Sequence, residues 1–247
     1  MRRWLGVIVL AIGWTIGNPS NPPRAAEPDK PLRVLFIVAG HGGEQKAPIL
    51  DKLFDELGGF QVTRLKQLPD LAQVKRADYD VLLFYGGPQA NELQERAIEQ
   101  FVDEGGGVVA LHHASANPSK AWIQLIGARF AGHPPISNTE AIVIDAQHPI
   151  TAGVEPKFTL FDESYKHKMA DVQKQVLLRL KDRPGDKTPD PNTDIVWTRE
   201  VGKGRVVYNA LGHGPEAWTN PNWQKLVVQS LYWAAGRPRA VKLPASK

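Results

Sequence analysis

Along the first half of the chain, short continuous apolar runs alternate with stretches of helical period. "PLRVLFIVAG" (31–40), "YDVLLFYGG" (79–87) and "VVALHH" (108–113) have no polar face, which predicts strands covered on both sides. "APILDKLFDEL" (47–57) and "NELQERAIEQFVDEGGG" (91–107) repeat apolar residues three and four apart and stop at glycines, which predicts amphipathic helices. "FQVTRL" (60–65) alternates and predicts a strand. Asn117-Pro118 predicts the start of a further helix, with asparagine as N-cap, proline in the first turn and "SKAWIQLIG" running to Gly127. Strand–helix alternation at this spacing predicts a parallel, doubly wound α/β sheet.

The second half is less regular. "EAIVID" (140–145), "FTLFD" (158–162), "QVLLRL" (175–180) and "DIVWTRE" (194–200) read as strands of an antiparallel extension. "RPGDKTPDPN" (183–192) is a turn-rich surface loop. "GRVVYNALGH" (204–213) is a strand entering a glycine turn, "NWQKLVVQSLYWAAG" (222–236) is a closing helix, and the tail after Gly236 reads as a loose end. There is no internal repeat and no low-complexity tract.

Composition changes the picture at the N-terminus. Arg2 and Arg3 precede "WLGVIVLAIGWTIG" (4–17), an apolar stretch of signal-peptide length, and a Pro-rich polar segment follows. Residues 1–26 are therefore expected to be a signal peptide of a periplasmic or secreted protein, with a retained N-terminal anchor as the alternative. Residues 27–236 are expected to form the domain and 237–247 a tail. The formal charge of +4 includes Arg2, Arg3 and Arg24 with no acid in that leader, so the remainder carries +1. The basic balance therefore gives no case for a nucleic-acid partner. With no cysteine, the chain has no disulfide, no thiolate ligand, no lipidated cysteine and no cysteine nucleophile.

In an open parallel sheet, ligands bind beyond the carboxyl ends of the strands. The residues that follow the predicted strands are His41 in "GHGGE", Gly86 and Gly87 in "GGP", His112 and His113, and His213 in "GHG". "LFDESY" adds Asp162, Glu163 and Tyr165. His41 reads as a site residue or a solvated loop residue. His112 is favoured over His113, which reads as its packed partner. His213 reads as accessible or as a cap. His133 in "GHPP" is a site residue or a structural loop residue, and Trp218 lines a pocket or belongs to the core. His148 and His167 read as solvated or turn residues. Neutral imidazoles with one carboxylate can hold a divalent metal such as zinc, or can work as an acid/base set. No local spacing such as HExxH favours the metal.

"GGGVVALHHA…W…LIGARFAGHP", "HPITAGV", "FTLFDESY", "GKGRVVYNALGHGPEAW" and "LYWAAG", in this order over residues 32–236, resemble the ThuA-like (trehalose utilisation) family. The resemblance implies a flavodoxin-like, class I glutamine amidotransferase-like fold. In that fold the turn after "VVAL" is the nucleophile elbow, where His112-His113 stand in place of a cysteine, so glutamine hydrolysis by a cysteine nucleophile is not available. The resemblance also implies a role in sugar catabolism and points to His41, His112, Glu163, Tyr165 and His213 as site residues.

The leading expectation is acid/base chemistry on a keto-sugar or 3-keto-glycoside. His112, Glu163, His213, His41 and Tyr165 would be catalytic, and Gly86, Gly87, His113, His133 and Trp218 would bind substrate. If a metal is present, His41, His112, Glu163 and His213 would hold it. The alternatives are a non-catalytic carbohydrate-binding protein and a metal-dependent hydrolase of another ester or amide. The expected partner is a small carbohydrate, without nucleic acid and without stable membrane insertion once the leader is removed.

Overall fold

A computed structural model describes residues 30–65, 68–87, 89–188 and 190–244. The expected signal peptide at 1–26 lies outside the described residues. The nine-stranded central sheet has the order β2-β1-β3-β4-β11-β10-β9-β6-β7. Its parallel half comprises β2 (Phe60–Leu65), β1 (Leu32–Val38), β3 (Val81–Tyr85), β4 (Gly107–Leu111) and β11 (Gly204–Asn209). The antiparallel half comprises β10 (Asp194–Val201), β9 (Gln175–Leu180), β6 (Ser137–Val143) and β7 (Lys157–Asp162). β3 and β4 are buried along their whole length, as their unbroken apolar runs require, whereas β2, at the edge, alternates.

Helices cover both faces. On one face α4 (Pro215–Thr219) touches both α1 (Gly43–Leu57) and α5 (Pro221–Ala234), and α5 lies over β4 and β11. From the other, α2 (Glu92–Asp103) packs against β4 and β11, and α3 (Lys120–Ile126) against β11. Asn91 and Gln94 form a capping box that starts α2. Among the described residues no helix is long and apolar enough to cross a membrane.

Four expectations change. α3 begins after Ser119, whose hydroxyl caps Trp122, and Asn117 instead closes a turn by accepting the Ser119 N–H. A two-stranded sheet of β5 (Ala128–Gly132) and β8 (Lys166–Met169) was not predicted, because short strands studded with Arg and Lys carry little apolar signal. His167, expected to be solvated, lies on the inward face of β8, buried beside Tyr208 and Trp197. The tail is not loose up to residue 244: Arg239 reaches the Tyr232 hydroxyl and the Val241 N–H bonds Gln229.

Candidate metal centre at the strand ends

Three histidine turns leave the same edge of the sheet. Past β1, Gly40, His41 and Gly42 all have left-handed backbones, with φ of 55° at His41. Past β4, His112 opens a 3-10 turn at φ 44°. These are the two non-glycine residues with positive φ among those described. Such conformations persist only where the surroundings over-determine them, and they concentrate at functional sites. Under His112, the Tyr208 hydroxyl lies 2.9 Å from the His112 carbonyl, 2.8 Å from Ser115 Oγ and 3.0 Å from His167 Nε2. A Cβ at Gly86, after β3, would stand 2.0 Å from the Ala39 carbonyl oxygen, so the first and third strand ends meet only if this residue is glycine.

Glu163 arrives from the opposite end of the sheet. The fully buried Asp162 carboxylate at the end of β7 accepts the N–H groups of Gly212 (2.7 Å), His213 (2.8 Å) and Glu163 (2.9 Å). These bonds fasten β7 to the turn after β11 and present Glu163 to the histidines.

His41 Nε2, His112 Nε2, His213 Nδ1 and Glu163 Oε2 form a cluster of candidate metal ligands. Glu163 Oε2 is 3.1 Å from His213 Nδ1 and 3.4 Å from His112 Nε2, and His41 Nε2 is 3.2 Å from His213 Nδ1. All four lie within 4.8 Å of one another. His112 Nδ1 is 2.7 Å from the Ala210 carbonyl oxygen, an acceptor, so that nitrogen carries the proton and a neutral His112 has a bare Nε2. Both that Nε2 and Glu163 Oε2 are buried without a hydrogen-bond partner.

Protonation fits ligation. Burial pushes the His41 imidazole down to about 4, helped by His113, His112 and His213. Burial also lowers His213, against the pull of Glu163, and lowers His113. Burial alone would raise the Glu163 carboxyl, but a hydrogen bond and charge from His112, then the charges of His213 and His133, outweigh it to the extent that those rings are protonated. His41, His113 and His213 are thus neutral imidazoles at pH 7, facing a carboxylate. Tetrahedral zinc with bonds of about 2.0–2.1 Å spaces its ligands by about 3.3 Å. The shortest separations here match that edge. The donor set therefore fits a divalent ion.

The other predicted residues surround this cluster or lie behind it. His113 stacks on His41 with ring centres 4.0 Å apart, and its Nδ1 is 3.4 Å from the Tyr165 hydroxyl. Tyr165 packs on His112 at 4.1 Å, and burial raises its phenol far above the ordinary value. His133 Nε2 is 3.4 Å from Glu163 Oε1. A Cβ at Gly87 would press on the elbow backbone at His113 and Asn117. Trp218 is fully buried and its indole N–H donates to the Gly212 carbonyl, so it supports the His213 turn from behind and offers no face to a ligand.

Sequence reasoning missed Lys46 and Tyr85, which lie directly under the cluster. The available signal was a lysine one turn before Leu50, within the apolar stripe of α1.

Comparison with known proteins agrees with this architecture. A ThuA-like protein from Parabacteroides merdae has a TM-score of 0.73 at 19% identity, over 87% of this chain and 94% of the other. A ThuA-like protein from Bacteroides uniformis has a TM-score of 0.68 at 22% identity, over 88% and 95%. A GMP synthase component from Thermoplasma acidophilum has a TM-score of 0.51 at 12% identity, over 83% and 94%, which places the sheet in the glutamine amidotransferase-like fold. No curated protein matches the chain. The family model for ThuA, described as trehalose utilisation, matches residues 33–234, and the chain belongs to the ThuA family.

Proposed function

We propose that the protein is a metal-dependent enzyme of carbohydrate catabolism, periplasmic or secreted, that acts by acid/base chemistry on a keto-sugar or 3-keto-glycoside. The observation that carries this reading is the convergence of three imidazoles and one carboxylate within 4.8 Å, with His112 Nε2 and Glu163 Oε2 buried 3.4 Å apart and without a hydrogen-bond partner. A divalent ion bound by both atoms would satisfy the buried nitrogen and the buried carboxylate oxygen together. His41 Nε2, His112 Nε2, His213 Nδ1 and Glu163 Oε2 would hold that cation. A divalent ion there supplies Lewis-acid stabilisation of negative charge developing on a substrate oxygen.

The remaining chemistry falls to side chains around the cluster. A ketone acidifies the neighbouring C–H. His113, half-buried and neutral, is placed to take that proton. Tyr165 keeps its own proton and orients the His113 ring. His133, a third exposed, borders the cluster on the other side of Glu163. The sugar assignment rests on the family's link to trehalose utilisation.

The test is incubation of tag-free protein with a disaccharide and with its 3-keto derivative, each with and without a chelator. Turnover of the keto form alone, lost with chelator and restored by a divalent metal, is expected. Binding of the keto-sugar without turnover would overturn the reading in favour of a carbohydrate-binding protein.

A further inference from the structure

We infer that Lys46 is a positioning residue whose buried ammonium ties the His41 turn to the His213 turn and so sets the spacing of two ligands of the metal centre. The inference rests on the metal reading of that site. Lys46 lies on the first turn of α1 and is only 8% exposed. An ammonium has three protons and no acceptor. Lys46 Nζ is 2.5 Å from the His213 carbonyl oxygen and 3.3 Å from the His41 carbonyl oxygen, and it also bonds the Tyr85 hydroxyl. Tyr85 in turn donates to the Gly212 carbonyl at 3.1 Å. The ammonium sits over the Tyr85 ring at 4.6 Å, with Trp218 at 5.8 Å. One side chain thus grips the backbone of both residues, which are 172 positions apart.

The grip matters because nothing regular in either turn sets its position relative to the other. His41 sits in a run of three left-handed residues, of which it alone pays the Cβ penalty, and His213 lies between two glycines. Asp162 fastens the His213 turn to β7, but no regular ladder ties that turn to the His41 turn, whose histidine lies 3.2 Å away. A charged donor shared between the two carbonyls supplies that constraint.

Charge and positioning predict opposite outcomes. A cation beside a divalent ion repels it, so by charge alone Lys46→Met would tighten metal binding. By positioning, Lys46→Met loosens two ligands and weakens it. Outer-shell partners of metal ligands contribute about 10–100-fold in affinity.

The experiment is a cobalt(II) titration of the full, metal-stripped, tag-free chain, followed by the visible absorption of bound cobalt and normalised to the folded fraction. Lys46→Met is expected to weaken cobalt binding about tenfold or more and to change the shape of the cobalt band, because the ligand geometry relaxes. Unchanged or tighter binding with an unchanged band overturns the inference. Should Lys46→Met not fold, Tyr85→Phe carries the test. It removes one acceptor of the ammonium and the bond to Gly212 while keeping the ring, and is expected to weaken binding about threefold or more; unchanged affinity overturns the inference. A wild-type chain that takes up no cobalt overturns the metal reading and the inference with it. Wild-type uptake with no effect of either variant overturns the inference alone.

Discussion

Asp162 joins the two halves of the sheet at the site, and removing it has a cost that follows from the structure. Its carboxylate accepts three backbone N–H groups at 2.7–2.9 Å and is fully buried. Hydrogen bonds to a charged group contribute about 1.5–3 kcal/mol each, and a buried donor left unpaired costs about 1–3 kcal/mol. Two of the three bonds share Oδ1, and water can enter the space left by a truncation, so the full sum is not reached. Asp162→Ala is expected to lose about 3–5 kcal/mol. For a chain of this size that lowers the melting temperature by about 6–20 °C. Asp162→Asn keeps the shape but turns an N–H₂ towards one of the donors, and is expected to lose about 1–3 kcal/mol. Urea denaturation of both variants measures the loss. A cost below about 1 kcal/mol for Asp162→Ala, with an unchanged slope, would refute the role given to this carboxylate.

Two further outcomes follow from single residues. Gly86→Ala puts a Cβ against the Ala39 carbonyl at a φ of 91° and is expected to lose about 3 kcal/mol or more in thermal or urea unfolding; a loss under about 1 kcal/mol would contradict the close approach. Burial pushes the His167 imidazole down to about 3 from an ordinary 6.5, so between those values the unfolded chain binds a proton that the folded chain does not. Stability from His167 is therefore full above pH 6.5 and is lost as pH falls. The gap between metal-free wild type and His167→Gln should shrink by up to about 1.4 kcal/mol per pH unit from about 6.5 down to about 4, and a constant gap would contradict it.

The parallel half of the fold was legible because strands covered on both faces must be apolar throughout, and "VLLFY" and "GVVAL" coincide with β3 and β4. The strand ends, and with them His41, His112 and His213, followed from the same runs. The β5–β8 pair was not legible, because alternation over four or five residues that include Arg129, Lys166 and Lys168 leaves too few apolar positions to register. His167 was misjudged for the same reason: its two lysine neighbours mask a side chain that points inward. The choice of Ser119 over Asn117 as the cap of α3 depends on local backbone geometry, since both residue types favour that position. The convergence of Glu163 with the three histidines was expected only through the ThuA resemblance, because where β7 ends in space is not determined by the order of strands along the chain. The short clamp from Lys46 was hidden because a single lysine in an amphipathic helix ordinarily lies at its margin.

The most direct test of the metal centre is elemental analysis of the wild type and of His112→Ala, both produced without a polyhistidine tag and checked for folding by circular dichroism. His112→Ala removes one of the four candidate ligands together with its anchoring bond to the Ala210 carbonyl, and opens the site to water. A metal centre predicts about one divalent ion per wild-type chain and a trace in His112→Ala. A folded wild type free of stoichiometric metal, even after exposure to zinc, manganese or cobalt, would contradict it.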